Sequence, residues 1–156
     1  MNHSIPKSAT TPSLKKVEPR IRAGVKALIV HQQKILIIYE KLANGEIICD
    51  FPGGGMDYGE TIEETLKREV KEEVGIEIEL VKPVGNWSFI LTKHKVQILC
   101  LGYQCRVKGS IKLDFSHNPA KEDIIKAGWY TQTELLNDDK LLRLPEIKEA
   151  VKLLEI

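Results

Sequence analysis

The feature that most constrains the fold of this chain is a glycine loop joined to an acidic amphipathic helix. Pro52 and the three glycines at 53–55 form a break that neither a helix nor a strand tolerates well. Thr61 and Glu64 then form a capping-box pattern at the start of residues 61–74. This segment has an apolar residue at every fourth position: Ile62, Leu66, Val70 and Val74. The pattern predicts a helix over 61–74, preceded by a loop whose backbone can approach another group closely.

The other apolar runs predict strands and two shorter helices. The predicted strands are 25–30 and 34–39, joined as a hairpin, then 47–51, 76–84, 87–91, 96–107 and 127–130. The predicted helices are 133–136 and 145–154, and residues 108–126 are predicted to be loop. Strands and helices do not alternate regularly, so this order favours an α+β or mixed α/β sandwich. Residues 1–19 are expected to form a flexible N-terminal tail, and residues 20–156 one domain.

Charge and cysteine content narrow the class of protein. The chain has 23 Lys and Arg against 22 Asp and Glu, a net charge of +1, which argues against a nucleic-acid surface or a polybasic membrane anchor. No apolar run approaches the roughly 20 residues of a membrane helix. The cysteines, Cys49, Cys100 and Cys105, contain no CxxC pair and are expected to be buried free thiols of a cytoplasmic protein. Cys100 and Cys105 should face opposite sides of one strand.

The near-neutral total hides a segregated acidic face on the predicted helix. Residues 59–75 contain six acidic and three basic residues. Glu69, Glu72 and Glu73 stand at i, i+3 and i+4, so their carboxylates share an arc of about 100° on the helix. Hard divalent cations such as Mg²⁺ prefer such oxygen ligands. The alternative is a solvated face of Glu and Lys, but it leaves the preceding glycine loop unexplained.

The segment from the glycines through this helix matches one known pattern without an insertion. The pattern is Gly, five residues, Glu, seven residues, then Arg-Glu-apolar-x-Glu-Glu-x-Gly-apolar. The matching residues are Gly54, Glu60, Arg68, Glu69, Val70, Glu72, Glu73, Gly75 and Ile76. The segment resembles the Nudix box, and the chain is identified as a member of the Nudix (MutT-like) hydrolase family. The resemblance implies the Nudix fold, an α/β/α sandwich with a mixed sheet.

The resemblance also implies roles for individual residues. The catalytic and metal-binding carboxylates would be Glu69, Glu72 and Glu73, joined by the carbonyl of Gly53. Glu60 and Arg68 resemble the pair whose salt bridge holds the loop against the helix. Family members commonly use one further acid shortly before a Trp-containing strand. Here Glu122 and Asp123 precede Trp129, and solvated loop acids are the alternative for both.

The implied reaction is hydrolysis of a nucleoside diphosphate linked to another group X, with Mg²⁺ or Mn²⁺ as cofactor. The compact domain favours a nucleoside or deoxynucleoside triphosphate as substrate. ADP-ribose, nucleotide sugars and dinucleoside polyphosphates stay open, as do the general base, the metal count and a homodimer. The alternative from another class is a catalytically silent nucleotide-binding Nudix module, whose expected mark, a degraded box, is missing here.

Some further side chains are weaker candidates for substrate contacts. Aromatic residues able to stack on a nucleobase are Tyr39, Trp87, Phe89, Tyr103 and Trp129, with core packing as the alternative role. Basic residues able to reach substrate phosphates are Arg22, Lys41 and Arg143, with solvated surface cations as the alternative. The histidines are scattered without metal-ligand spacing.

Overall fold

The computed structural model describes residues 18–116 and 123–156. Most of the predicted N-terminal tail therefore lies outside the described residues, as does Glu122. The strands are β1 (Arg20–His31), β2 (Lys34–Lys41), β3 (Ile47–Asp50), β4 (Glu77–Leu91), β5 (Val96–Lys108) and β6 (Asp123–Thr131). The helices are α1 (Ile62–Val74), α2 (Gln132–Asn137) and α3 (Pro145–Lys152).

The strands form one mixed sheet in the order β3-β2-β1-β5-β4, with β6 also paired to β2. β1 and β5 run parallel, whereas β1–β2, β2–β3, β2–β6 and β4–β5 are antiparallel. Because successive side chains of a strand point to opposite faces, β1 contributes to two cores. Val25 and Ala27 pack with α1 on one face, and Leu28 packs with α3 on the other. The predicted α+β fold with a mixed sheet between helices is confirmed.

The ends of α1 follow from its capping residues. Thr61 accepts a hydrogen bond from the backbone N–H of Glu64, and the Glu64 side chain accepts one from the N–H of Thr61. At the other end, Gly75 has φ +75°, and its N–H bonds to the carbonyl of Lys71. A Cβ at position 75 would lie 2.7 Å from the Cβ of Asp114, so this turn requires glycine.

Three predicted boundaries are wrong. β1 begins at Arg20, five residues before the predicted 25, because it pairs with β5 from Arg20 onwards. The two strands expected at 76–84 and 87–91 are one strand, β4, whose register shifts at Leu80/Lys82 and at Pro83/Gly85. Among the strands of the described residues, β4 lies at the edge beside β5, and an edge strand accommodates a proline and the associated bulges without ending. β6 also begins at Asp123, earlier than the predicted 127, because it pairs with β2 as far as Lys41.

The cysteines are free, and two of them divide between the two cores. Cys100 is buried on the α3 side and Cys105 on the α1 side, which confirms their predicted opposite orientation. Burial raises the pKa of the Cys100 thiol to about 11 and that of Cys105 to about 12. Cys49 is only partly buried, so the prediction of three buried thiols is wrong at this position. Among the helices of the described ranges, none has the length and hydropathy needed to cross a membrane.

Candidate active site

The glycine loop is fixed along the edge of β1. Val25 donates a backbone hydrogen bond to the carbonyl of Gly54 (2.9 Å), and Ala27 donates one to that of Pro52 (2.8 Å). Gly53 has φ +136°, and a Cβ there would lie 2.1 Å from the carbonyl oxygen of Val25. The close approach of loop and strand therefore requires glycine at position 53.

Two of the three candidate glutamates of α1 are buried against this loop. Glu69 is 8% exposed and Glu73 is 2% exposed. The N–H of Gly53 donates to Glu73 Oε2 (2.8 Å), and a Cβ at Gly54 would lie 2.7 Å from the Glu69 carboxylate. Glu72 is more accessible, with 28% of its side chain exposed and its Oε2 3.6 Å from Arg68 Nη1. The helix thus presents these acids towards the loop, as their spacing predicts.

Arg68 connects the loop, the helix and the acids. Its Nε and Nη2 donate to the two carboxylate oxygens of Glu60 (2.7 and 2.8 Å), a bidentate pair. Its Nη1 donates to Glu69 Oε1 (2.7 Å), and its Nη2 also reaches the carbonyl of Gly55 (3.4 Å). The Arg68 hydrogen bonds, with the backbone N–H of Asp57, lower the pKa of Glu60 to about 2. Arg68 therefore ties the loop to the helix, which is the arrangement that the motif implies.

Lys26 is a site residue that the sequence analysis misses. Its Nζ donates to Asp50 Oδ2 (2.6 Å), to the carbonyl of Phe51 (3.2 Å) and to that of Gly53 (3.1 Å). Burial acts to lower the Lys26 pKa, but the negative charges of Asp50 and Glu73 outweigh it, so the pKa is raised. The available signal is a lone lysine inside the buried apolar run VKALIV, because a buried charge is nearly always paired.

The chemistry of these residues suits a hard divalent cation. In residues 18–116 and 123–156, no group of three or more His, Cys, Asp or Glu side chains already has metal-binding geometry. Glu69 and Glu73 instead point their oxygens at Arg68 and at the N–H of Gly53. The potential donors are nevertheless carboxylate oxygens, two of them buried, beside a loop that has no side chains to obstruct access. Mg²⁺ or Mn²⁺ fits this donor set.

Of the two further acid candidates, Asp123 has no contact with this cluster among the described residues. Asp123 is exposed at the first position of β6, where it is opposite Lys41 of β2. Within the described part of the chain, no hydrogen bond or ion pair joins Asp123 to the glutamates of α1. Glu122 lies outside the described residues.

Two neighbouring cavities open on the α3 side of the loop. The first, of about 280 Å³, has apolar walls that include Phe51, Trp87 and Leu142, with Asp50 and Arg143 as its charged residues. The second, of about 210 Å³, is lined by residues 53–55 of the loop and by basic side chains of β1. Phe89 lines both cavities, and the Lys26–Asp50 ion pair lies between them.

The other aromatic candidates have structural contacts. The ring of Trp129 lies 5.8 Å from that of His31. The hydroxyl of Tyr39 is hydrogen-bonded to that of Tyr130, and Tyr103 packs against the α1-side core. Of the five aromatic candidates, Trp87 and Phe89 are therefore the two that line the cavities beside the loop.

Comparison with known sequences gives a family and two informative relatives. The NUDIX domain family matches residues 20–151 of this chain. A protein of Enterobacter sp. (strain 638), the nucleoside triphosphatase NudI, is 56% identical over 95 residues, in a match that covers 53% of this chain and 61% of that protein. The MutT-like protein of Streptomyces ambofaciens is 28% identical over 133 residues, covering 85% of this chain and 74% of the relative. The chain thus spans less than two thirds of the first relative.

Solved structures show the same fold. The MutT protein from Methanosarcina mazei Go1 superposes with a TM-score of 0.69 at 21% sequence identity, covering 88% of this chain and 94% of that one. The NUDIX hydrolase from Nitrosomonas europaea superposes with a TM-score of 0.68 at 21% identity, covering 86% of this chain and 87% of that one. At this identity the likeness concerns the fold alone.

Proposed function

We propose that this protein, which belongs to the Nudix hydrolase family, hydrolyses the pyrophosphate bond of a nucleoside or deoxynucleoside triphosphate. The observation that carries the proposal is the burial of Glu69 and Glu73 against the glycine loop. Two carboxylates that are removed from water and crowded onto one helix face need compensating positive charge. Arg68 and Lys26 supply positive charge beside them, and a bound divalent cation would add the charge that lets an anionic phosphate substrate approach the carboxylates.

The residues of the loop and of α1 have separate roles in this proposal. Glu69, Glu72 and Glu73 would hold Mg²⁺ or Mn²⁺, while Arg68 and the N–H of Gly53 orient the two buried carboxylates. When bound, the cation would neutralise the pyrophosphate and would make an attacking water more acidic. Glu72 has a more exposed side chain than Glu69, and we assign it the acceptance of the proton of that water. Glu60 keeps Arg68 in position through the bidentate pair.

The cavity of about 280 Å³ is the proposed nucleoside site. Trp87, Phe89 and Phe51 provide flat apolar surfaces for a nucleobase, whereas Asp50 provides a hydrogen-bond acceptor at the wall. The second cavity, of about 210 Å³, leads from this one to the glycines of the loop. A nucleoside in the first cavity therefore places its phosphates along the loop.

A triphosphate substrate is favoured by the first relative, which is described as a nucleoside triphosphatase. The test is a hydrolysis panel of nucleoside and deoxynucleoside triphosphates, ADP-ribose, a nucleotide sugar and dinucleoside polyphosphates, with Mg²⁺ or Mn²⁺. Phosphate and pyrophosphate release are measured separately. We expect the highest kcat/KM on a triphosphate, with pyrophosphate or phosphate as product. A tenfold preference for ADP-ribose or a dinucleoside polyphosphate would contradict the proposed triphosphate substrate but would leave the proposed reaction class unchanged.

The variant Glu73→Gln tests whether the reaction uses the proposed site. It removes one negative charge while the retained side-chain oxygen can still accept the Gly53 N–H bond, so the fold should persist. We expect kcat to fall about 100-fold or more, since cation-dependent stabilisation is worth several kcal/mol. Glu63→Gln on the exposed side of α1 is the matched control, expected to keep full turnover. Absence of turnover by the wild type on every substrate would leave a nucleotide-binding module, and equal activity of both variants would move the site elsewhere.

A further inference from the structure

The three basic residues that the sequence analysis names as candidate phosphate contacts have different surroundings in the structure. Arg143 is paired, with its Nη2 3.4 Å from Glu46 Oε1. Lys41 stands at the end of β2, where its strand partners are Ile47 and Asp123. Arg22 has no side-chain hydrogen bond or ion pair with any residue in the described ranges. It is the candidate whose charge is left without a protein partner there.

Arg22 is held beside the backbone of the glycine loop. A Cβ built at Gly55 would lie only 3.2 Å from Nη2 of Arg22. The absence of a side chain at position 55 therefore leaves room for the guanidinium. Gly24, two residues further along β1, forms a β-bridge with Gly55. A Cβ at 55 would press on the guanidinium, the flexible end of the Arg22 side chain, and shift it by a few tenths of an ångström. The third glycine, which the family pattern does not require, therefore allows the guanidinium this close approach to the loop.

Lys26 cannot take the same role while it keeps its present contacts. It lies on the same face of β1 as Arg22, four residues further along, because alternate side chains share a face. Its three ammonium protons are directed at Asp50, Phe51 and Gly53. Of the two basic side chains of β1 that line the cavity beside the loop, Arg22 is therefore the one with free donors.

The cavity around Arg22 suits an anion that enters from the nucleoside side. Arg22, Lys26 and residues 53–55 form its polar part, and Phe89, Leu91 and Ile98 form apolar walls. Phe89 also lines the proposed nucleoside site. A guanidinium beside apolar walls forms strong charge-assisted hydrogen bonds with phosphate oxygens, often two at once.

We propose that Arg22 binds a phosphate group of the substrate on the face of the glycine loop away from α1. This inference rests on the proposed function, because it assumes that a nucleotide occupies the neighbouring cavity. Glu69 and Glu73 then face the loop from the α1 side while Arg22 faces it from the other. In this arrangement Arg22 would contact the polyphosphate chain of the substrate from the side opposite the glutamates that would hold the cation.

The test measures binding of inorganic tripolyphosphate by calorimetry, in EDTA and in Mg²⁺, for four proteins. They are the wild type, Arg22→Met, Arg22→Lys and the matched control Arg20→Met. Arg20 is exposed on the same strand and face but lines a different surface region. We expect Arg22→Met to weaken binding about tenfold or more, the loss of a charge-assisted contact. Arg22→Lys should bind with intermediate affinity, because lysine keeps the positive charge but cannot form the two parallel hydrogen bonds of a guanidinium. Arg20→Met should change the affinity less than about twofold.

Several results would overturn this assignment. Equal losses in Arg22→Met and Arg20→Met would indicate general attraction by positive charge. Unchanged binding by Arg22→Met, or no binding by the wild type in either buffer, would contradict a phosphate-binding site at Arg22. The result is separable from the proposed function, because binding is measured without turnover. If the wild type hydrolyses a triphosphate while Arg22→Met keeps both its KM and its kcat, this inference fails and the proposed function stands.

Discussion

The ammonium group of Lys26 joins three oxygens from the end of β3 and the start of the glycine loop. On the α1 side of the same loop, Arg68 joins Glu60 and Glu69. The loop is therefore held between two cations, each with its own acids. Two buried glutamates are tolerable at this position because both sides of the backbone are charge-compensated.

The Glu60–Arg68 pair predicts a pH dependence of stability. The folded-state pKa of Glu60, about 2, lies below that of an unfolded glutamate, about 4.3. Its stabilisation is therefore fully present above about pH 4.5 and is lost as the pH falls towards 2. We expect Glu60→Gln to be less stable than the wild type at pH 7, with the difference shrinking across this window. Urea unfolding at several pH values measures it.

Glu63→Gln serves as the control for this pH experiment, because Glu63 pairs with Lys67 on the exposed face of α1. Its difference from the wild type should be small at pH 7. High salt should also reduce the Glu60→Gln effect, since the pair is partly exposed. A stability difference for Glu60→Gln that stays constant from pH 7 to pH 2.5 would contradict the assigned role.

At the scale of elements, the sequence predicts best where a local signal coincides with a buried face. α1 carries a capping box, an apolar repeat and a terminal glycine, and the structure has it from Ile62 to Val74. β4 was harder to predict, because Pro83 and Gly85 are read as a break although an edge strand accommodates them. The beginning of β6 depends on its pairing with β2, which no local pattern contains.

The same reasoning separates the two kinds of site residue. Glu69, Glu72 and Glu73 are found from helical spacing and the family motif, since both are properties of consecutive residues. Lys26 and Asp50 lie 24 positions apart and meet only through the packing of β1 beside the glycine loop. A lone charge in an apolar strand indicates that it has a partner of opposite charge, but only the tertiary structure identifies that partner as Asp50.

The glycine loop predicts unequal effects of two alanine substitutions. Gly53 and Gly59 both have positive φ, +136° and +91°, so both variants carry a backbone cost of about 1 kcal/mol. A Cβ at Gly53 would also collide with the Val25 carbonyl, whereas nothing lies within 4 Å of one at Gly59. We expect Gly53→Ala to lose about 3 kcal/mol or more and most of its turnover, and Gly59→Ala to lose about 1–2 kcal/mol.

Urea unfolding gives the stability difference, and kcat/KM on the best substrate of the panel gives the functional one. Gly59→Ala controls for the loss of glycine in the same segment. If the two variants lose equal stability and Gly53→Ala keeps its activity, the loop does not depend on the contact with β1.

At the scale of the whole molecule, the sheet separates two cores that meet at the glycine loop. α1 brings the acids to one face, and α3 closes the cavities on the other. α3 is short, and its end is fixed to the sheet by a side chain of β5. Gln104 is 1% exposed, donates from Nε2 to the carbonyl of Glu155 (2.8 Å) and accepts from its N–H (3.1 Å). One amide therefore satisfies both backbone groups of Glu155, three residues after the end of α3.

This arrangement predicts that Gln104→Ala is more destabilising than removal of the neighbouring ion pair. The alanine leaves both Glu155 backbone groups without a partner and opens a small space beside β5, at a cost of about 1–3 kcal/mol. Lys82→Ala removes the ion pair with the exposed Glu155 side chain (2.5 Å), at a cost below about 1 kcal/mol. Urea unfolding of both variants measures the two costs. Ile147 of α3 and its N-cap residue Leu144 line the larger of the two cavities, so Gln104→Ala should also raise the KM of the substrate, whereas Lys82→Ala should leave it unchanged. A larger stability loss in Lys82→Ala would mean that surface charge, and not the buried amide, holds the C-terminal segment in place.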